Sequence, residues 1–90
     1  MEYENIGEYL HDNNLHVLFS GKTYGEKYKV AVQEIKRCGN TPIWVFGRLY
    51  TLYKGNYFFD PQGCKSFNDE KDAINEACKF FGVDSEFFIN

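Results

Sequence analysis

The stretch 41–60 most constrains what this chain can fold into, because it concentrates the residue types that pack well on a pleated sheet. It contains the only tryptophan of the chain, Trp44. Its other sheet-forming residues are Ile43, Val45, Phe46, Leu49, Tyr50, Leu52, Tyr53, Tyr57, Phe58 and Phe59. Near the middle, residues 54–56 (Lys-Gly-Asn) can adopt the positive φ that a tight reversal needs. The stretch therefore predicts a β-hairpin, which is a scaffold and carries no chemistry by itself.

Length and composition limit the class of protein. Ninety residues are enough for one domain, 1–90, which would bury roughly 60–65% of its extended surface. Hydrophobic residues at 43% and charged residues at 26% are typical of a globular chain. No apolar run approaches the roughly 20 residues that span a bilayer. The N-terminus is acidic and polar, unlike a signal peptide, so we expect a cytoplasmic protein with no membrane contact.

Aromatic residues make up 19% of the chain, as seven Tyr, nine Phe and one Trp. A core of this size cannot hide all of them. Since Tyr and Trp are enriched at protein interfaces, we expect some of these side chains to face a partner.

Charge is distributed unevenly along the chain. Residues 1–20 carry a net charge of −4, residues 21–59 of +5 and residues 60–90 of −4. A basic middle between acidic ends could give two unlike faces, or folding could bring the segments together as ordinary surface pairs. The sequence leaves both open, together with self-association.

The N-terminal part of the chain predicts a helix and then a strand. Residues 2–12 place apolar side chains at helical spacing, with acidic residues in the first turn, where the helix dipole favours them. Asn13 and Asn14 then predict a turn. Leu15, Val17 and Phe19 alternate along a strand that we expect to end at residues 20–21 (Ser-Gly).

Residues 22–38 fit two interpretations. As a helix, Thr23 and Glu26 can form a capping box and Gly39 can end it. The helical face would consist of Tyr28, Ala31, Val32, Ile35 and Cys38. As a strand, apolar positions 28, 30 and 32 alternate with 27, 29 and 31. The alternation fails after residue 32 whereas the helical spacing continues to 38, so we favour a helix over 24–38.

The C-terminal part predicts a turn over 60–63 and a helix from Asn68 to Gly82. Asn68 can cap the first turn, Asp69 and Glu70 complement the dipole, and Gly82 ends the helix. Its buried stripe would be Ala73, Ile74, Ala77, Cys78 and Phe81. Residues 84–86 could begin one more turn, and we expect the apolar residues 87–89 to pack on the core. The predicted fold class is a small α+β domain, an antiparallel sheet with a central hairpin packed by an N-terminal and a C-terminal helix.

No catalytic, cofactor or metal motif is complete. Residues 20–23 (Ser-Gly-Lys-Thr) end like a phosphate-binding loop, but His16 occupies the position of the required glycine. His11 and His16 lie on different predicted elements and the three cysteines are isolated, which disfavours a zinc site. The carboxylates at 69, 70, 72 and 76 lie on the polar face of a helix.

The cysteines predict free thiols, since their number is odd and no two lie close together. Cys38 and Cys78 are interpreted as small core residues on helix faces. Cys64, in a loop after a glycine, is the best candidate for a nucleophile, but a thiol needs a base such as His11 or His16 in contact. We therefore expect no enzyme.

Nucleic-acid binding is the alternative function. It would use Lys27, Lys29, Lys36 and Arg37 in the basic middle segment, 22–48, beside aromatic residues that could stack on bases. Residues 54–59 do not match the RNA-recognition sheet motif, and the C-terminal helix is acidic where a double-stranded-RNA-binding domain needs lysines. An isoelectric point of 5.3 also opposes non-specific phosphate binding.

The favoured hypothesis is a non-enzymatic module that binds, and inhibits, a larger protein. No motif identifies a family, but size and richness in Tyr, Phe and Asn are similar in a general way to accessory proteins of phages and other mobile elements that dock on a host protein. The predicted contact surface is the aromatic face of the hairpin with its arginine, because aromatics and Arg are the usual anchors of interfaces. Its residues are Trp44, Arg48, Tyr50, Tyr53 and Tyr57.

Overall fold

The computed structural model describes residues 4–23, 26–63 and 65–83. These residues form two α-helices, four strands and one 3-10 turn. In chain order the elements are α1 (Ile6–Asp12), β1 (Leu15–Thr23), β2 (Glu26–Arg37), β3 (Asn40–Thr51), the 3-10 turn (Tyr53–Gly55), β4 (Tyr57–Pro61) and α2 (Glu70–Phe81). The strands make one antiparallel sheet in the order β1-β2-β3-β4, so β1 and β4 are its edges. The prediction of a small α+β domain with an N-terminal and a C-terminal helix is confirmed.

The prediction of a third helix over 24–38 is wrong, because this segment forms most of the long strand β2. Val30, Ala31 and Val32 are all fully buried. A central strand that is covered on both faces carries a continuous apolar run, which does not show the alternation of a half-buried strand. From Ile35 onward β2 is exposed, so burial no longer maintains any alternation there.

The predicted hairpin is confirmed as β3 and β4. Its connection includes the 3-10 turn, in which Gly55 has a φ of 73°. The Leu52 N–H donates to the carbonyl oxygen of Asn56 across 2.7 Å. The predicted turn over 60–63 begins later than expected, since Asp60 and Pro61 still belong to β4.

Helix α2 begins one residue after the predicted cap and ends where the sequence indicates. Asp69 rather than Asn68 is the N-cap, and its carboxylate accepts from the Lys71 N–H at 3.0 Å. Gly82 ends the helix in the left-handed conformation, with a φ of 70°. The helix buries Ala73, Ala77 and Cys78.

Helix α1 is shorter than predicted and starts at Ile6. Its N-cap is Asn5, whose side chain accepts from the Glu8 N–H at 3.1 Å. The chain leaves it through Asn13 and Asn14, the latter with a φ of 54°. No residue of α1 is fully buried. Within the described part of the chain, neither helix could cross a membrane.

The two helices pack on opposite faces of the sheet and create two separate cores. The α2 face is built on Tyr28, Val30, Val32, Phe46, Ala73 and Ala77. The α1 face is built on Leu15, Ala31 and Leu49, against which Ile6, Tyr9, Leu10, Tyr57 and Phe59 pack. The sheet is therefore the middle layer of three.

The cysteines do not all occupy the predicted environments. Cys78 is buried on α2, as predicted, whereas Cys38 is exposed in the turn between β2 and β3 instead of lying in the core. The misplacement follows from the wrong helix assignment of 24–38. Cys64 and the predicted C-terminal turn and apolar tail, 84–89, lie outside the described residues.

Candidate protein-binding surface

Arg48 lies at the centre of a cluster of rings on the α2 face. Its guanidinium carbon is 5.0 Å from the ring centroid of Tyr28 and 5.1 Å from that of Phe81. Both distances fit cation–π contacts. None of the ion pairs among the described residues involves Arg48. Its five N–H donors can therefore meet a carboxylate from outside while its faces rest on aromatic rings.

The Tyr28 ring can lie beneath Arg48 because residue 21 is a glycine. Gly21 is the cross-strand partner of Tyr28 in the β1–β2 ladder. A Cβ atom at this position would lie 2.3 Å from the Cε1 atom of the ring, which is closer than real Cβ contacts come. The sequence predicts that Gly21 ends a strand, but in the structure it lies within β1 and makes room for the ring.

Tyr50 and Phe58 extend the cluster towards the edge of the sheet. They are partners in the β3–β4 ladder, and their rings stack at 6.4 Å with an interplanar angle of 17°. Tyr50 also lies 6.2 Å from Tyr28, which links the pair to the core. Phe58 is 52% exposed, although it is a phenylalanine on a strand.

The last turn of α2 supplies the opposite side of the cluster. Phe81 turns inward to Arg48 and to Phe46, whose ring centroid is 6.3 Å away. Phe80 lies beside it at 4.9 Å and is 53% exposed. Because Ala73 and Ala77 bring α2 close to the sheet, its large side chains are placed at its end, at the rim of the buried region.

We call the resulting patch the aromatic surface. It consists of Arg48, Tyr50, Phe58, Phe80 and Phe81. Ring contacts connect its members to the buried core through Tyr28 and Phe46. The patch is carried by two strands and a helix, so its side chains are held by packed elements rather than by loops. Exposed aromatic groups on a rigid support are typical of interfaces.

The structure brings together only two of the five residues predicted for the contact surface, Arg48 and Tyr50. Trp44 lies on the same face but further along β3, where its ring is 5.7 Å from that of His16 and its backbone forms a bridge with Phe67. Tyr53 is 77% exposed in the 3-10 turn. Tyr57 lies on the α1 face.

Tyr57 is separated from the others because the ladder pairs it with Thr51, one residue out of phase with Tyr50. Its ring lies 5.1 Å from that of Tyr9 and helps to hold α1. A change at this position would therefore disturb the packing of α1 as well as any contact with a partner.

Phe58, Phe80 and Phe81 are the members that sequence reasoning missed as contact residues. The helical spacing predicts Phe81 only as part of the buried stripe and predicts no role for its neighbour Phe80. One signal existed, since Phe80 lies three residues after Ala77 and so flanks the stripe. No comparable signal existed for Phe58, whose position opposite Tyr50 depends on the length of the hairpin connection.

The four residues of the nucleic-acid alternative do not form one patch. Lys27 and Lys29 lie near the start of β2, whereas Lys36 and Arg37 lie at its end. Lys36 follows Lys27 by nine residues, which corresponds to about 30 Å along an extended strand. Arg37 also donates to the carbonyl oxygen of Thr41, at 3.2 Å from Nε and 2.8 Å from Nη2.

The histidines make only local contacts. His16 Nδ1 lies 2.7 Å from Glu70 Oε2, and His11 Nδ1 lies 3.6 Å from Asp12 Oδ1. Among residues 4–23, 26–63 and 65–83, no group of three or more His, Cys, Asp or Glu side chains could hold a metal ion.

The aromatic surface is thus the feature from which a function can be argued. It combines half-exposed rings with a basic group, and it is anchored in the larger of the two cores. Compared with known proteins, the chain matches no family model, and no curated protein or solved structure is significantly similar to it.

Proposed function

We propose that this protein is a non-enzymatic module that docks on a larger protein through the aromatic surface and inhibits it by covering a functional site. The observation that carries the proposal is the half-exposure of Phe58 and Phe80 on either side of Arg48, on elements that are themselves well packed. In size and composition the chain is similar in a general way to accessory proteins of phages and other mobile elements that work by docking on a host protein.

The two exposed rings can supply binding energy of the right size. A phenylalanine side chain buries about 200 Å² when it is fully covered, so covering the exposed half of each ring removes about 100 Å² from water. At about 25 cal/mol per Å², each ring contributes about 2.5 kcal/mol. That is the magnitude of an interface hot spot, for which a threshold of about 2 kcal/mol is used.

Arg48 determines the chemistry of the partner. Its ring contacts position the guanidinium, and although Asp60 is its ladder partner, no carboxylate among the described residues forms an ion pair with it. The surface therefore fits a segment that presents apolar side chains to Phe58 and Phe80 and an aspartate or glutamate to Arg48. A carboxylate can accept two parallel hydrogen bonds from this donor group.

The test is affinity capture with matched variants. The tagged full chain is incubated with lysate from the organism that encodes it, with and without nuclease, and the retained protein is identified and purified. Its affinity is then measured for the wild type, for Phe58→Ser with Phe80→Ser, and for Arg48→Ala. We expect the double serine variant to lose at least about a hundredfold in affinity and Arg48→Ala about tenfold.

Val17 and Ile35 provide the control. They are exposed apolar residues, at 38% and 37%, on the opposite face of the sheet. Val17→Ser with Ile35→Ser removes similar apolar groups and should leave affinity within about twofold. Equal losses in both double variants, with the far-UV circular dichroism of each unchanged, would show that the aromatic surface is not the contact. Retention that disappears with nuclease would move the function to nucleic acid.

Inhibition is measured on the purified partner. If the partner has an activity, the wild-type protein should lower it at stoichiometric concentration, and the Phe58→Ser with Phe80→Ser variant should not. Binding without any effect on that activity would leave docking established and exclude the inhibitory role.

A further inference from the structure

A concave region lies on the α1 face of the sheet, where β1, β2 and β3 run behind Tyr50 of the aromatic surface. Its volume is about 590 Å³, which is within the range of roughly 300–1,000 Å³ typical of small-molecule sites. Five of its lining residues, Ser20, Lys27, Lys29, Leu49 and Thr51, lie on the α1 face, and Gly21 and Tyr28 complete its wall at the edge of the sheet. It shares none of these residues with the aromatic surface.

The strand register explains why these side chains meet. Ser20 pairs with Lys29 across β1 and β2, and Lys29 pairs with Leu49 across β2 and β3. Residues directly opposite each other in a ladder point to the same face of the sheet. Lys27 and Thr51 lie two positions from members of this row, so they share its face. Leu49 belongs to the core of the α1 face and forms an apolar floor.

Positive charge is concentrated at this place, where Lys27 and Lys29 lie on one face of β2. Lys27 and Lys29 lie about 7 Å apart along one side of β2. Among the residues whose side chains the structure describes, no ion pair involves either lysine. Two like charges at this distance repel each other, and a bound anion would offset that repulsion.

We propose that this region is a binding site for a phosphate-bearing ligand of nucleotide size. The ammonium groups of Lys27 and Lys29 bind the phosphates, and the hydroxyl groups of Ser20 and Thr51 donate to phosphate oxygens. Leu49 packs against the organic part of the ligand. The site is separate from the aromatic surface, and it does not depend on the function proposed for that surface. The phosphate can belong to a free nucleotide or to the backbone of a single-stranded nucleic acid.

The experiment is an NMR titration of the full chain with three probes: ATP, inorganic pyrophosphate and a single-stranded oligothymidylate. We expect the amide signals of Ser20, Lys29 and Thr51 to shift in a saturable way, while those of Phe67 and Phe80 do not. Saturation with ATP and pyrophosphate assigns the site to free phosphate ligands. Saturation with the oligonucleotide alone assigns it to a nucleic-acid backbone, with an affinity that falls steeply as salt rises.

Two double variants that have the same net charge distinguish a local binding site from general electrostatic attraction. Lys27→Ala with Lys29→Ala should lower the affinity for the saturating probe by at least about tenfold, because each lost contact is a charge-assisted hydrogen bond. Lys36→Ala with Lys71→Ala removes the same two charges at exposed positions away from the site and should change it by less than about twofold. Equal losses in the two double variants, or no saturable shift with any of the three probes, would overturn the proposal.

Discussion

The α2 face and the α1 face of the sheet differ in how deeply they are covered. On the α2 face, a helix of twelve residues buries Ala73, Ala77 and Cys78 against the centre of β2 and β3. On the α1 face, a helix of seven residues buries none of its side chains completely. Alanine lets the α2 backbone approach the sheet, whereas the larger side chains of α1 rest half-exposed on it.

This difference shows where each face can carry a function. On the α2 face the helix covers the core, so the exposed rings lie at its margin: Phe80 at the end of the helix and Phe58 on β4. On the α1 face the short helix leaves part of the sheet open, and polar side chains such as Lys27 and Lys29 line that opening. The deeper core supports an apolar contact surface, and the shallower one leaves space for a polar cavity.

The largest effect should come from placing a charge under each helix in turn. Ala77→Asp places a carboxylate at a fully buried position in an apolar cluster and should destabilise the fold by about 4 kcal/mol, because a buried charge without a partner is costly. Ile6→Asp makes the corresponding change in α1, where the residue is only half-buried, and should cost about 1 to 2 kcal/mol.

Urea unfolding followed by the fluorescence of Trp44, the only tryptophan, measures both variants. The circular dichroism of each variant in water is the control for a native starting state. If Ile6→Asp proved as damaging as Ala77→Asp, the two faces would contribute equally and the contrast between them would be wrong.

The next largest effect should come from Gly47, since β4 serves both faces. A Cβ atom at this position would lie 2.2 Å from the carbonyl oxygen of Asp60 and 2.7 Å from the Cα atom of Pro61. Gly47→Ala must therefore displace the backbone of β4, and we expect a loss of about 2 to 3 kcal/mol in the free energy of unfolding.

Gly39→Ala is the matched control, because a Cβ atom there meets no atom within 4 Å and only the positive φ of 75° opposes it. That strain should cost about 1 kcal/mol. A Gly47→Ala variant as stable as Gly39→Ala would mean that β4 can shift freely. In that case β4 could not hold Phe58 for the α2 face or Tyr57 for the α1 face.

Those parts of the fold that depend on local signals could be predicted from the sequence. The apolar stripe of α2 predicts a helix, and Gly82 predicts where that helix ends. The sheet-forming run 41–60 predicts the β3–β4 hairpin. Strand β2 could not be predicted in this way. Its burial on both faces depends on α1 and α2, and neither helix is close to it in sequence.

The candidate site shows the same limit. Arg48 and Tyr50 could be chosen because they alternate along one strand. Phe58 joins them only through the register of β4, and Tyr57 leaves them for the same reason. The role of Gly21 depends on the ring of Tyr28 across the ladder, which no local pattern reveals.

The smallest effect should come from the polar link between β1 and α2. His16 Nδ1 and Glu70 Oε2 are 2.7 Å apart, but their side chains are 57% and 38% exposed. Exposed pairs of this kind contribute about 0 to 1 kcal/mol, so Glu70→Gln should change stability by less than about 1 kcal/mol. Asp69→Ala, which removes the adjacent helix cap, should lower the free energy of unfolding by about 1 kcal/mol in the same urea titration.

A loss above about 2 kcal/mol for Glu70→Gln would exceed the range of exposed pairs and show that the contact with His16 of β1 holds α2 on the sheet. The depth of the α2 face would then depend on one polar contact rather than on its buried alanines.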